Sequence, residues 1–120
     1  MVSEKVANII EALGKHHDNS SIEVLVKVGT NCENDEIREL TARALIRKND
    51  EKALRYMLLS RGKGVNDLSS NVAMSTINEI IALKDKTNLY KIIDDTLTEN
   101  IDNDIRDTIR SVKALITYSN

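Results

Sequence analysis

The chain of 120 residues contains no proline and only four glycines, Gly14, Gly29, Gly62 and Gly64. Proline removes a backbone donor and clashes with the preceding turn, and glycine is the other residue that most weakens a helix. So few interruptions constrain the chain towards helices, and the spacing of its apolar residues decides where they run.

Val6, Ile9, Ile10 and Leu13 follow the i, i+3, i+4, i+7 rule and predict a first helix over about residues 3–13, stopped by Gly14. Ser20 with Glu23 three residues on reads as a capping box for a short second helix with Ile22, Leu25, Val26 and Gly29 inside. The stretch from Ile22 to Val28 is β-branched enough for a strand, but its cap favours a helix. Asn34 or Asp35 caps a third helix with Ile37, Leu40, Ala44 and Leu45 inside and an outer Glu39–Arg43 pair at i, i+4. Asn49-Asp50 caps a fourth, with Ala53, Leu54, Met57 and Leu58 inside, ending near Arg61-Gly62-Lys63-Gly64. Asp67 is expected to cap a fifth helix carrying Leu68, Val72, Ile77, Ile80 and Ile81. Leu89, Ile92, Ile93 and Leu97 mark a sixth, after a turn at Lys84-Asp85-Lys86. Ile105, Ile109, Val112 and Ile116 mark a seventh, capped at Asn103 or Asp104. Short connections make consecutive helices antiparallel neighbours.

At this length one domain, residues 1–120, is expected to bury a single core. No apolar run approaches the roughly 18 residues that would span a bilayer, so no membrane partner is expected. The opening residues have no secretory pattern and Cys32 is the only cysteine, which together favour the cytoplasm. Seventeen basic and nineteen acidic residues give a net charge of −2, and three tyrosines are the only aromatic residues. Both facts argue against a nucleic-acid binder, which relies on a basic surplus and on stacking platforms.

The pair Ala-Leu recurs as Ala12-Leu13, Ala44-Leu45, Ala82-Leu83 and Ala114-Leu115, at intervals of 32, 38 and 32 residues, the length of one helical hairpin. The segment Asn34-Asp35-Glu36-Ile37-Arg38-Glu39-Leu40-Thr41-Ala42-Arg43-Ala44-Leu45 resembles the HEAT-like repeats also found in phycobilisome-lyase-type proteins. Asn103-Asp104-Ile105-Arg106 is a second copy of its start, and Glu11-Ala12-Leu13-Gly14-Lys15 is similar to the family's first-helix ending. The resemblance implies an all-α, right-handed solenoid of about three and a half stacked antiparallel hairpins. It also implies that Asp35, Arg38, Asp104 and Arg106 are structural residues of the repeat. The fifth helix departs from the pattern, with Asn71-Val72-Ala73 in place of an aliphatic residue followed by arginine.

His16-His17-Asp18 invites a metal reading, but adjacent residues on a turn diverge and no second cluster completes a ligand shell. Cys32 lies in a polar turn without a base at recognisable spacing, and no nucleophile, base and orienting group form a pattern, so neither an enzyme nor a cofactor is expected. Arg61-Gly62-Lys63-Gly64 reads as a basic loop able to approach an anion, although it lacks the phosphate-loop spacing. Arg43 with Arg47, and Arg106 with Arg110 and Lys113, form basic stripes on the third and seventh helices. They support nucleic-acid binding as the alternative function, resembling HEAT-like DNA glycosylases. Asp94, Asp95 and Glu99 form an acidic cluster on the sixth.

In the solenoid that the resemblance implies, the second helix of each hairpin lines the concave side, where a protein partner is held. The outward residues there are Glu23, Lys27, Arg55, Tyr56, Leu59, Tyr90, Lys91 and Asp94, and Lys27, Arg55, Tyr56, Tyr90 and Lys91 are the expected contacts. Arginine and tyrosine commonly dominate interfaces. A non-catalytic scaffold or assembly module is the function expected. An unpaired seventh helix, with Leu115 and Tyr118 outward, raises self-association through its C-terminal end.

Overall fold

In a computed structural model that describes residues 4–16 and 18–119, the protein folds into seven α-helices, and the described residues include no strand. The elements are α1 (Glu4–Lys15), α2 (Ser20–Val24), continued by a π-helical segment (Leu25–Thr30), α3 (Asp35–Lys48), α4 (Glu51–Leu59), a 3₁₀ turn (Gly64–Asn66), α5 (Ser70–Ala82), α6 (Thr87–Leu97) and α7 (Asn103–Ser119). The ambiguous stretch at 22–28 is helical as expected, although the cap from which that was expected does not form. None of these helices is long and apolar enough to cross a membrane.

The inner faces of α4 and α7 follow the periodicity closely. Ala53, Leu54, Met57 and Leu58 are fully buried, as are Ile109 and Ile116, with Ile105 and Val112 nearly so. Two helix starts carry the expected caps: the Asn34 side chain accepts hydrogen bonds from the amides of Glu36 and Ile37, and Asp50 does the same for Lys52 and Ala53.

Other expectations are corrected. Helix α1 runs through Gly14 because that glycine is a contact point: an added Cβ would stand 2.9 Å from the Ala44 Cβ. Of its apolar stripe only Ile10 is buried; Val6 and Ile9 face outward. The proposed capping box at Ser20 is absent, since Asn19 occupies the cap position with helical dihedrals and no side-chain bond. Leu68 is 97% exposed and lies before α5, because Asp67 does not cap that helix. The Asp67 carboxylate instead receives the Arg38 Nε at 3.1 Å and bonds the Ser69 amide, turning the chain before α5 begins. Glu39 and Arg43 do not pair: Glu39 accepts from the Ser75 hydroxyl and Arg43 reaches Glu79 on α5.

The Ala-Leu pairs do not mark equivalent positions. Leu45 is fully buried, whereas Leu115 is 43% exposed. What recurs is the seventh residue of each odd-numbered helix, Ile10, Thr41, Thr76 and Ile109, all of them buried. The two threonines return their hydroxyls to the carbonyls of Ile37 and Val72, so the polar group is satisfied within its own helix. Helix α1 packs on α3, α3 on α5 and α5 on α7, while α4 contacts α6 and α7. Where α3 meets the π-helical segment the backbones approach closely: a Cβ on Gly29 would lie 2.0 Å from the Thr41 Oγ1.

Candidate functional site

The segment α2 with its π-helical continuation and the helix α4 border an open groove of about 540 Å³. Its floor is Ile22, Val26, Tyr56 and Leu59, and its rim is Glu23, Lys27, Lys52 and Arg55. Ile22 is buried because it also belongs to the core, while Val26, Tyr56 and Leu59 are half-buried, packed on the core with one side open. On α4 the contributing residues Lys52, Arg55, Tyr56 and Leu59 fall at i, i+3, i+4 and i+7, a second stripe beside the buried one.

Polar contacts hold this surface in place. The Tyr56 hydroxyl lies 3.0 Å from the Thr30 Oγ1, and that threonine also donates to the Val26 carbonyl at 2.6 Å. The phenol ring is thereby fixed across the groove between the two helices. Lys52 reaches Glu23 at 3.4 Å, an exposed pair of small energetic weight. Arg55 leans away towards the turn that follows α6, where its Nη2 meets both carboxylate oxygens of Glu99 at 2.6 Å. Lys27 makes no ion pair or hydrogen bond among the described residues. The rim therefore sets three cations against one carboxylate, over a floor that is largely hydrocarbon.

Of the five expected contact residues, the structure brings Lys27, Arg55 and Tyr56 together here. Tyr90 and Lys91 on α6 lie outside the groove lining: Tyr90 is half-buried against the core, and Lys91 is held at 2.7 Å by Glu51 of α4, which raises its pKa. Lys52, Ile22 and Val26 were not among the expected contacts. The 3.6-residue stripe through Lys52, Arg55 and Tyr56 is the sequence signal that points to the first of them.

The four residues that the HEAT-like resemblance implies to be structural, Asp35, Arg38, Asp104 and Arg106, sit at helix starts. Arg38 and Arg106 are each the fourth residue of their helix, and each reaches back to the preceding turn: Arg38 Nη1 donates to the Cys32 carbonyl at 2.9 Å, and Arg106 donates to the carbonyls of Leu97 and Glu99 at 2.6 and 2.8 Å. Asp35 pairs with Arg38 at 2.5 Å, but Asp104 pairs with Arg61 rather than Arg106. Hydrogen bonding to Asp67 leads the influences that raise the Arg38 pKa.

The remaining candidates are engaged elsewhere. Arg61 binds Asp102 and Asp104, hydrogen bonds that raise its pKa, and Lys63 bonds the Asn31 side chain, so both cations of the glycine-bearing loop are occupied. Gly62 and Gly64 have φ of 71° and 57°, and Gly64 is further required because a Cβ would meet the Met57 carbonyl oxygen at 2.8 Å. Arg43 and Arg47 converge on Glu79, and Lys113 pairs with Asp94. Burial alone would raise the Glu79 pKa, but hydrogen bonds from Arg47 and Arg43 outweigh it and hold the carboxyl below its ordinary value. Of the two basic stripes, Arg106 bonds backbone carbonyls only, and the Arg110 side chain makes neither an ion pair nor a hydrogen bond among the described residues.

His16 turns its Nδ1 to the Asp18 amide at 3.2 Å, and His17 lies outside the described residues. Among the described residues no three His, Cys, Asp or Glu side chains are grouped to hold a metal ion. A hollow of about 170 Å³ between α1 and α3 has Glu11, Lys15, Arg43 and Arg47 among its lining residues. Comparison with known proteins gives no match to a family model, to a curated sequence or to a solved structure.

Proposed function

We propose that this chain is a non-catalytic protein-interaction module, a short solenoid of HEAT-like helical hairpins that docks a protein partner on the face formed by α2, α4 and α6. The solenoid reading is supported by the row of contacts from α1 through α3 and α5 to α7, beside the contact of α4 with α6. Such a row is how stacked hairpins share one core.

The observation that carries the interaction reading is the groove itself: three half-buried apolar side chains, Val26, Tyr56 and Leu59, stand side by side under a charged rim. Tyrosine fixed by a hydrogen bond loses little further freedom on binding, which suits it to an anchoring role. A partner that inserts two leucine-sized side chains gains about 3–6 kcal/mol from burial. The polar rim then sets its orientation.

The test is affinity purification from nuclease-treated native lysate with wild type, Val26→Glu and Lys27→Glu as baits. Val26→Glu puts a carboxylate into the floor; Lys27→Glu changes an exposed rim residue and leaves the core untouched. A protein partner retained by wild type and lost with both variants supports the reading. A partner set unchanged by either variant, with both folded by circular dichroism, removes the groove from the function.

A further inference from the structure

Resting on that reading, we propose that the groove between α2 and α4 receives an acidic amphipathic helix of the partner. Its apolar side chains would lie between Val26, Tyr56 and Leu59, and its carboxylates against Lys27, Lys52 and Arg55. The walls are two helices, and the described residues present no strand edge to which an extended peptide could add by main-chain pairing. A helix laid into a hydrophobic cleft is the mode that remains for an apolar groove of this kind. The α4 wall, from Lys52 to Leu59, is two turns long, about 10 Å at 1.5 Å per residue. That length matches apolar positions i, i+3, i+4 and i+7 of an incoming helix.

The charge of the occupant follows from the rim. Lys27 carries an ammonium with no partner among the described residues, and Lys52 has only the 3.4 Å contact with an exposed Glu23, which an incoming carboxylate can displace. Arg55 is held by Glu99 through Nη2 alone, and a guanidinium offers five donors, so its remaining N–H groups stay open to a second acceptor. Glu23 is the single carboxylate among the lining residues, and Glu99, outside the lining, offsets part of the Arg55 charge, which leaves the cations in excess. A basic helix would meet three like charges there, and like charges facing each other are a strong means of rejecting a wrong partner.

The experiment titrates the isotopically labelled chain with two synthetic 15-residue helical peptides and follows backbone amide shifts by nuclear magnetic resonance. Both peptides carry leucine at the same four positions; the remaining positions are alanine with glutamate in one and alanine with lysine in the other. The glutamate peptide is expected to shift Val26, Lys27, Tyr56 and Leu59 and to bind at least tenfold more tightly than the lysine peptide, with the advantage shrinking as salt is raised. Lys27→Glu with Lys52→Glu, both at exposed positions, should reverse that order, and Val28→Glu, outside the groove lining, should leave it unchanged. Equal affinities at the groove would overturn the acidic assignment while leaving the docking groove in place. Absence of groove shifts with either peptide would overturn the helix-docking proposal, while the affinity purification above still decides whether the groove serves a partner.

Discussion

Arg38 ties together three pieces of chain: the turn after the π-helical segment through the Cys32 carbonyl, its own helix through Asp35, and the start of α5 through Asp67. The Asp67 side chain is only 2% exposed. Arg38→Ala would leave that carboxylate with the Ser69 amide but no counter-charge, and removal of one partner of a buried pair is far more damaging than loss of a surface bridge. We expect a loss of about 2–4 kcal/mol in chemical denaturation, with an unchanged melting profile sinking the assignment. Glu79 supplies a pH dependence. Its carboxyl titrates below the ordinary 4.5 in the folded chain, so the unfolded chain takes up the proton first as pH falls. Its contribution is therefore complete above about pH 4.5 and is lost as pH falls through the lower native value. Glu79→Gln should lower stability by about 1 kcal/mol at pH 7, and the difference from wild type should shrink progressively as the pH falls below the ordinary glutamate value. A difference that stays constant over that range would contradict the linkage. A structural Arg38 was only what the HEAT-like resemblance implied, and its partner Asp67 was not legible, because an aspartate two residues before a serine reads equally well as a helix cap. The outward placing of Tyr56 on α4 follows from the apolar spacing, whereas its hydroxyl bond to Thr30 depends on a π-helical turn that no apolar spacing announces.

Among the elements, α3 is the most heavily surrounded, meeting α1, the π-helical segment, α4 and α5. Two glycines make those approaches possible. Gly29→Ala would drive its Cβ to 2.0 Å from the Thr41 Oγ1 and 2.4 Å from its Cγ2, so the π-helical segment or the Thr41 side chain must shift. Overpacking of this kind destabilises by about 1–3 kcal/mol. Thr41→Ala removes both atoms and should restore part of the loss, giving a non-additive double-mutant cycle; strict additivity would show that the two residues do not touch. The groove lies along the same π-helical segment, so Gly29→Ala is also expected to weaken any groove ligand, measurable in the same peptide titration. Helix α4 was readable from sequence because its inner stripe is uninterrupted and Asp50 caps it. Helix α1 was misread at both its stripe and its end. Its apolar residues outnumber the neighbours available to cover them, and Gly14 was taken for a stop when it is the point where two helices touch. The start of α5 was misplaced for a related reason: the Asp67 carboxylate, expected as the cap, is spent on Arg38 and the Ser69 amide, so the helix begins only at Ser70.

For the molecule as a whole, the radius of gyration is 13.5 Å, the value of a compact domain of this length. Because α4 touches α6 and α7 as well as α3, and because the core residues join into one cluster from Ile10 to Ile116, unfolding should be a single transition. Tyr56 and Tyr90 are half-buried and report tertiary structure, while helicity reports the backbone. Coincident denaturation curves by tyrosine fluorescence and by circular dichroism are the expected result, and separated midpoints would indicate hairpins that melt independently. Tyr118, 89% exposed beyond Leu115 on the last helix, contributes little to the fluorescence change in a monomer. Seven helices and their order were readable in the sequence; the register between them was not. The Ala-Leu pairs that suggested a repeat slide along their helices, and only burial at Ile10, Thr41, Thr76 and Ile109 reveals the shared turn. The row in which α1 meets α3, α3 meets α5 and α5 meets α7 has one more consequence. Every helix finds neighbours that precede it closely along the chain, so as the protein leaves the ribosome each new segment can settle on a surface already laid down. Assembly in the order of synthesis leaves little apolar surface waiting for a distant partner, which is a form of protection during the moments when a nascent chain is most exposed to aggregation.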